Sequence, residues 1–331
     1  MAAGGAVCLA AGAKAATGID QSGFVRIGGI EQWIAIQGRD AGNPAIVYLH
    51  GGPGEAQSPF LEEFIPWEKD FTVVNWDQRG SGKTYEKNGK TTPDVTLDRL
   101  ADDAVELTRH VLKRLNKSKL ILVGQSFGAM LGLMVVKRAP ELYYAFVGTG
   151  QFVNNNLTMA YRERWARREA LAAHDTAGLK ALDAVRTLSV NDWKRIAASR
   201  KWMMSPPDQA YLKTQADFTG PLSHPRPAAR VWIEGYGFEA NQVGKQSIAF
   251  DAMREFPSLP VPYVLIQGRN DHVTPFQPAK AYFDKVRSKG KIFVPIDGGH
   301  YACFTNPRAF VAALDRYVRP LATQAGIGRN L

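Results

Sequence analysis

The sequence predicts an α/β fold, in which a mostly parallel, doubly wound sheet carries an inserted helical cap. Short apolar segments of strand type alternate with segments of helical periodicity through most of the chain. Such alternation builds parallel sheets that are covered by helices. The alternation stops between residues 151 and 257, where segments of helical type replace the strands. A length of 331 residues accommodates one large domain with such an insertion.

These patterns divide the chain into three predicted parts. Residues 1–18 form a flexible tail or signal remnant, 19–150 and 258–321 form the α/β core, and 151–257 form the cap. The Ala-rich tail ends in an Ala-x-Ala pattern but lacks a basic start. A periplasmic or secreted location is therefore slightly favoured over a cytoplasmic one. No segment predicts stable insertion into a membrane.

The charge distribution limits the expected partners. The net charge is +10, but basic and acidic residues alternate without a long block of one sign. We therefore expect a solvated basic surface and no binding of nucleic acid. Cys8 and Cys303 show no metal-ligand spacing and are not expected to form a structural disulfide. The expected partner is a small-molecule or short-peptide substrate, without a metal or cofactor, and the sequence does not indicate the oligomeric state.

The elements of the core follow in chain order. Residues 24–27 and 30–36 alternate in polarity and predict a hairpin that turns at Gly28-Gly29. Buried strands are predicted at 45–49, 71–76, 120–123, 144–148, 262–267 and 291–296, and core helices at 96–115, 129–136 and 307–318. The predicted cap helices are 162–171, 179–185, 192–203 and 208–215, with prolines at 206–207 and from 221 to 227 as helix breakers.

The strand at 120–123 leads into the first chemical signal. It is followed by Gly124-Gln125-Ser126-Phe127-Gly128 and then by an apolar helix. This context predicts a strained turn that exposes the Ser126 hydroxyl above the sheet edge, beside the positive end of the helix dipole. Gly124 and Gly128 are expected there because a Cβ at either position would clash where strand and helix nearly touch.

Two later strand ends supply an acid and a base. Asp271 follows the strand at 262–267, and His300 follows the last strand. The order Ser126, Asp271, His300 is the order of nucleophile, acid and base in the α/β-hydrolase fold. A serine hydroxyl needs an imidazole to accept its proton, and the imidazole needs a carboxylate to fix its tautomer.

Each of these two roles has a competing residue. His272 competes with His300 as the base, but it adjoins Asp271, and neighbours on one loop seldom form a triad pair. Asp297 competes with Asp271 as the acid, but it lies only three residues before His300. We therefore expect His300 and Asp271 to act.

Five motifs occur in order between residues 24 and 318. They are His50-Gly51-Gly52-Pro53-Gly54, Asp77-Gln78-Arg79-Gly80-Ser81-Gly82, the Gly-x-Ser-x-Gly at 124–128, Asp271 and Gly299-His300. Together they resemble the proline iminopeptidase family of α/β hydrolases, and the core agrees better than the insertion. The resemblance implies an oxyanion hole made by the N–H groups of Gly52 and Phe127. The residue after the nucleophile is often Trp or Tyr in that family, so Phe127 is a departure.

The resemblance also implies that carboxylates of the cap bind the free amine of the substrate. Glu234 is the first candidate and Glu239 the second. Glu234 is alternatively spaced to pair with Arg230, one helical turn earlier.

Other polar residues of the motifs have predicted structural roles. We expect His50 to form hydrogen bonds beneath its loop, because a triad base already exists. Asp77 and Arg79 are expected to form a structural ion pair near the site.

These observations predict a serine hydrolase that acts through an acyl-enzyme. The resemblance implies an aminopeptidase of proline iminopeptidase type, which cleaves N-terminal residues from small peptides or amides. A carboxylic ester or lactone hydrolase with the same triad is the alternative. A non-catalytic binding protein of the same fold is a third hypothesis, against which the complete set of Ser126, Asp271 and His300 argues.

Overall fold

The computed structural model describes residues 17–221 and 223–327. The strands are β1 (Ile19–Ile27), β2 (Ile30–Gly38), β3 (Ala45–Leu49), β4 (Thr72–Trp76), β5 (Leu120–Gln125), β6 (Tyr143–Thr149), β7 (Ser258–Leu259), β8 (Tyr263–Gly268), β9 (Arg287–Ser288) and β10 (Lys291–Ile296). Eight of them form one sheet in the order β1-β2-β4-β3-β5-β6-β8-β10, and β7 pairs with β9. β1 and β2 are antiparallel, whereas the sheet from β4 to β10 is parallel. The predicted fold class is thus confirmed.

Helices cover both faces of this sheet. They are α1 (Ile65–Glu68), α2 (Gly82–Asn88), α3 (Leu97–Leu115), α4 (Phe127–Arg138), α5 (Asn155–Ala172), α6 (Thr176–Ala184), α7 (Trp193–Ala198), α8 (Pro206–Thr219), α9 (Pro227–Ala249), α10 (Ala252–Glu255), α11 (Phe276–Lys285), α12 (Ala302–Thr305), α13 (Pro307–Ala313) and α14 (Arg319–Ile327). Short 3-10 turns occur at Leu61–Phe64, Gly89–Thr91, Pro140–Leu142 and Arg200–Trp202, and a π-helical turn at Leu314–Val318.

The central strands are apolar along their whole length because both of their faces are covered. Every residue of β3, β4, β5 and β8 is buried. One face packs against α3 and α4, through residues such as Leu100 and Leu131. The other face packs against α1 and α13, where Trp67 stacks on Phe310. The outer strand β1 instead alternates between exposed and half-buried residues over most of its length.

The register brings the carboxyl ends of the strands to one edge. Leu49 of β3 lies beside Gly124 of β5, which lies beside Gly148 of β6. On the far side, Gly268 of β8 lies beside Ile296 of β10. The loops that follow these strands therefore meet above the same edge, where ligands bind in parallel α/β sheets.

Helices α5 to α10 lie between β6 and β7. No strand of the sheet is contributed by residues 151–221 or 223–257. The largest difference from prediction is α9, a 23-residue helix. The prolines from 221 to 227 separate two helices as predicted, because α8 ends at Thr219 and α9 begins at Pro227, where a missing N–H costs nothing. The predicted helix at 307–318 also extends through a π-helical turn into α14.

The tail or signal at 1–18, which includes Cys8, falls almost entirely outside the described residues. The division into core and cap at residues 150 and 257 stays a prediction. Among the described helices, none has the length and apolar character of a membrane span.

Candidate active site

Ser126 occupies a strained turn between β5 and α4. Its backbone has φ 55° and ψ −114°, a conformation that residues with a Cβ rarely adopt. The turn is held from both sides, because the Ser126 N–H donates to the Thr149 carbonyl at 3.0 Å, and its own carbonyl accepts from Ala129 N at 3.0 Å. The side chain is half-buried, whereas its neighbours Gln125 and Phe127 are buried. The turn therefore presents the serine side chain at the strand end.

Two glycines permit this turn. A Cβ on Gly124 would lie 2.3 Å from the carbonyl oxygen of Gly128. A Cβ on Gly128 would lie 2.0 Å from the carbonyl oxygen of Leu49 in β3. Both clashes are with backbone atoms, which cannot rotate away as a side chain can. Strand, turn and helix therefore approach as closely as the sequence pattern predicts.

We expect Gly128→Ala to lower the free energy of unfolding by about 2–3 kcal/mol or more, because the added methyl overlaps the backbone of β3. Gly244→Ala is the matched control, since Gly244 lies in α9 and, apart from the neighbouring backbone of that helix, no atom lies within 4 Å of its Cβ position. It should raise stability by about 0.5–1 kcal/mol. Urea unfolding followed by circular dichroism measures both changes. Equal changes in the two variants would contradict the close approach of α4 and β3.

Asp271 lies in the loop after β8, where its carboxylate is fully buried. Oδ1 accepts hydrogen bonds from the N–H groups of Val273 and Thr274, both at 2.9 Å. Oδ2 accepts from Gln267 Nε2 and from the Thr274 hydroxyl, also at 2.9 Å. This set of donors stabilises a buried ionised carboxylate.

Asp271 meets His300, which follows β10. The distance from Asp271 Oδ2 to His300 Nδ1 is 3.1 Å, and the imidazole is buried. A proton on Nδ1 therefore points at the carboxylate, and Nε2 is left to accept one. Burial by itself lowers the pKa of His300, but the charge and hydrogen bond of Asp271 outweigh it and raise the pKa. The charges of Asp208 and Glu55 act in the same direction.

The raised pKa of His300 makes a prediction about pH. A general base must be neutral, so activity should be lost as the pH falls through the pKa of His300. Since this pKa lies above 6.5, we expect the acid limb of kcat/KM to be centred above pH 6.5. Hydrolysis of a neutral aryl ester between pH 5 and 9 measures it without titration of the substrate. An acid limb centred at or below pH 6 would contradict the assignment of His300.

The backbone of His300 is held by an aspartate from α8. Asp208 is fully buried and accepts hydrogen bonds from His300 N at 2.8 Å and from Tyr301 N at 3.0 Å. A Cβ on Gly299 would lie 1.9 Å from Asp208 Oδ2, so only glycine leaves room for this contact. Helix α8 thus positions the loop that carries the imidazole.

The strained turn at Ser126, called the elbow below, lies close to the imidazole of His300, but no direct hydrogen bond joins the two residues. A Cβ on Gly150 would lie 3.0 Å from His300 Cε1, and the residue before it, Thr149, binds the Ser126 N–H. Gln125 Nε2 donates to the His300 carbonyl at 3.4 Å. None of the hydrogen bonds among the described residues joins the Ser126 hydroxyl to His300. Catalytic hydrogen bonds often form only when substrate binds.

The two predicted oxyanion donors lie in the loops after β3 and β5. Phe127 is the first residue of α4, and the first four N–H groups of a helix have no partner within it. Gly52 follows β3 in a backbone conformation with φ 111°. Within the described residues, neither N–H donates a backbone hydrogen bond. Both groups are therefore available to a substrate oxygen.

His50, Asp77 and Arg79 each have their own set of hydrogen-bond partners. His50 is buried, with Nδ1 2.9 Å from the Gly51 carbonyl and Nε2 3.1 Å from the Ser81 hydroxyl. Burial lowers its pKa to about 4, so it is neutral at physiological pH. The expected pair of Asp77 and Arg79 is not formed.

Arg79 and Asp77 form hydrogen bonds with different partners. Arg79 Nε donates to Asp103 of α3 at 2.7 Å. Asp77 accepts from the N–H groups of Ser58 at 3.2 Å and of Lys83, in the first turn of α2, at 2.8 Å. A buried carboxylate at the helix N-terminus satisfies otherwise unpaired donors there, and Arg79 is left to neutralise Asp103.

A family model of the α/β-hydrolase fold matches residues 44–307, which contain Ser126, Asp271 and His300. The chain belongs to the α/β-hydrolase family.

Curated relatives support the motif resemblance. A probable aminopeptidase of Bacillus subtilis is 28% identical over 307 residues, which cover 88% of this chain and 94% of the relative. A proline iminopeptidase of Neisseria gonorrhoeae is 24% identical over 282 residues, which cover 78% of this chain and 84% of the relative. The resemblance of this α/β hydrolase to proline iminopeptidases is thus confirmed.

Solved structures share the fold of this α/β hydrolase. A proline iminopeptidase-related protein from Thermus thermophilus superimposes with a TM-score of 0.64 and 21% identity, covering 92% of this chain and 99% of that one. A thermophilic esterase from Thermogutta terrifontis superimposes with a TM-score of 0.58 and 17% identity, covering 91% and 99%. At these identities the likeness shows the fold alone.

His272, the competing base, is held by helix α5 of the hydrolase. Its Nδ1 lies 2.9 Å from the Tyr161 hydroxyl, and its ring stacks on Trp165 with 3.6 Å between centroids. Burial lowers its pKa. These partners belong to α5 and not to the elbow, so the contacts of His272 are those of a packed side chain.

The two predicted amine-binding carboxylates both lie on α9 but in opposite environments. Glu234 is exposed, and it forms no salt bridge with Arg230 in the described part of the chain. Glu239 is fully buried, and neither carboxylate oxygen has a hydrogen-bond partner of good geometry. Burial raises the pKa of Glu239 to about 8, and the charge of Asp77 adds to the shift. Their role in binding an amine stays a prediction.

Several residues that support the site were missed. Thr274 contacts both Asp271 and His300, with its hydroxyl 3.0 Å from His300 Nδ1. Thr274 lies three residues after the predicted acid, Asp271, and this closeness in sequence could have identified it as part of the site. Asp208 and Glu55 gave weaker signals, because an isolated carboxylate in a helical or loop segment is ordinarily a surface residue. No group of three or more candidate metal ligands occurs among the described residues.

Proposed function

We propose that this α/β hydrolase is a serine aminopeptidase of proline iminopeptidase type, which releases N-terminal residues from short peptides or amides. The observation that carries the proposal is the buried hydrogen bond of 3.1 Å between His300 Nδ1 and Asp271 Oδ2, close to the strained turn of Ser126. This is the arrangement that activates a serine hydroxyl. Relatives described as aminopeptidases support the choice of substrate.

The proposed reaction proceeds in two steps. Ser126 Oγ attacks the substrate carbonyl while His300 Nε2 accepts the serine proton, and the oxyanion accepts hydrogen bonds from the N–H groups of Gly52 and Phe127. The carbonyl then re-forms as the C–N bond breaks, and His300 donates the proton to the leaving amine. A water molecule, deprotonated by His300, then attacks the acyl carbon. The bond to Ser126 Oγ breaks, His300 returns the proton to Oγ, and the N-terminal residue is released.

The helical segment at 151–257 has the proposed role of a cap over this reaction. Its helix α8 contacts the backbone of His300 through Asp208, and α5 packs on the loop of Asp271 through Tyr161. A cap that excludes water strengthens electrostatic interactions in the site. We propose residues 19–150 and 258–321 as the core that the cap covers.

A comparison of three substrates tests the proposed function. A prolyl arylamide with a free amine should be hydrolysed with a higher kcat/KM than its N-acetylated form. A short-chain aryl ester should also react, because esters are intrinsically easier to cleave. Hydrolysis of the ester alone, with no turnover of either arylamide, would exclude the aminopeptidase and favour the ester or lactone hydrolase. Absence of turnover of all three substrates would favour a non-catalytic binding protein.

A further inference from the structure

We propose that Glu55, in the core loop after β3, is the carboxylate that binds the free ammonium of the substrate. This inference rests on the proposed aminopeptidase function and names a residue outside the helical segment at 151–257. Glu55 directly follows the His50-Gly51-Gly52-Pro53-Gly54 loop, which carries a predicted oxyanion donor.

The position of Glu55 is set by contacts from three parts of the fold. Its Oε1 accepts hydrogen bonds from the Tyr301 hydroxyl at 3.1 Å and from Gln215 Nε2 of α8 at 3.2 Å. Its backbone N–H donates to the Gly51 carbonyl at 3.2 Å. The carboxylate is therefore oriented by the residue next to His300 and by a helix of the inserted segment.

The second oxygen of Glu55 is available to a ligand. Oε2 accepts no hydrogen bond from the described residues, and it is not among the fully enclosed oxygens that lack a partner. It lies 3.0 Å from the point that a Cβ on Gly51 would occupy, so it lines the side of the oxyanion loop. An incoming group that binds near the Gly52 N–H can thus reach Oε2.

The surroundings of Glu55 favour a cation. Glu63 lies in the same network, because the Tyr211 hydroxyl donates to Glu63 at 2.8 Å and Gln215 links Tyr211 to Glu55. Neither Glu55 nor Glu63 takes part in a salt bridge among the described residues. A buried carboxylate without a cationic partner is costly, and a substrate ammonium removes that cost.

The covalent geometry of a peptide fits this placement. The amino nitrogen and the carbonyl carbon of one residue are separated by two bonds, or about 2.5 Å. When the carbonyl oxygen binds at the Gly52 N–H, the ammonium must therefore find its partner within a few ångströms of the oxyanion loop. Glu55 is held against this loop, whereas Glu234 is exposed on α9. Glu239 is enclosed next to Asp77 and has no accessible oxygen.

Glu55→Gln tests the assignment because it removes the charge and keeps the shape and the acceptor for Tyr301. We expect kcat/KM for a free-amine prolyl arylamide to fall about 10- to 150-fold, the scale of a charged hydrogen bond. The ratio of arylamide to neutral aryl ester turnover should fall by nearly the same factor. Glu62→Gln, which removes an exposed charge from the neighbouring 3-10 turn, should leave both activities unchanged. An equal loss on ester and arylamide would assign Glu55 a structural role and overturn the proposal.

A second measurement separates this assignment from the peptidase activity. Prolinamide and N-acetylprolinamide are compared as competitive inhibitors of aryl ester hydrolysis. In the wild type the free amine should inhibit at lower concentration, and Glu55→Gln should abolish the difference while Glu62→Gln preserves it. A preference that survives in Glu55→Gln, or a wild type with no preference, overturns the role of Glu55. Failure of the proposed function would instead appear as absent arylamide turnover, whatever the inhibitors show.

Discussion

Ser126→Ala should reduce kcat by about 10⁴- to 10⁶-fold on every substrate that the enzyme turns over. The substitution removes the oxygen that would attack the carbonyl, and no other group at the turn replaces it. The fold should persist, because the strained conformation is maintained by backbone hydrogen bonds to Thr149 and Ala129 and not by the side chain. The residual rate would come from the oxyanion donors and from substrate binding.

Purified wild type and Ser126→Ala should be compared by steady-state kinetics, with circular dichroism as a check of the fold. Ser118→Ala is the matched control, since Ser118 is exposed at the opposite end of β5. It should retain full activity. More than about a tenth of the wild-type kcat in Ser126→Ala would identify another residue as the nucleophile.

His300→Ala should be as damaging as Ser126→Ala, because the two residues act as one unit. Without the imidazole of His300, which Asp271 orients, no group accepts the proton of the Ser126 hydroxyl. His272→Ala should cost at most a few-fold in kcat, since its partners are Tyr161 and Trp165 of α5. It should lower stability instead, because it leaves a void against Trp165.

The double variant Ser126→Ala with His300→Ala sharpens this test. If both residues serve one step, the double variant should be no slower than either single variant. Additive losses would mean that they serve separate steps. A loss in His272→Ala equal to that of the serine variant would reverse the assignment of the base.

The elements of the core were accessible from the sequence because they are defined by local pattern. The strands at 45–49 and 291–296 were predicted with the bounds that the structure has, since each is an apolar run that ends at a polar or glycine-rich loop. The elbow at Ser126 was predicted with its glycine contacts, because the motif couples sequence spacing to a backbone approach. Carboxyl ends of parallel strands then share one edge, which brings Asp271 and His300 together.

The sequence did not predict which residues pair with the buried charged side chains. Arg79 was assigned to Asp77, two residues away, but it pairs with Asp103 of α3, which comes near only after folding. Asp208 contacts His300 across 92 positions of sequence. Glu234 and Glu239 were named as amine-binding candidates from the family resemblance, and that role stays a prediction, although the sequence did not indicate that Glu234 is exposed and Glu239 buried. Tertiary packing determines which side chains of α9 face the interior, and the periodicity of the sequence alone did not predict this.

Covalent labelling with a diphenyl phosphonate analogue of proline tests the central claim most directly. The phosphorus takes the place of the substrate carbonyl carbon, so an activated serine should displace phenol and form a stable adduct. Intact-mass and peptide mass spectrometry should find one adduct, on Ser126, that forms faster with the free amine than with its N-acetylated counterpart. Ser126→Ala should remain unlabelled. Labelling of another residue, or faster labelling by the N-acetylated reagent, would contradict a serine aminopeptidase built on Ser126, His300 and Asp271.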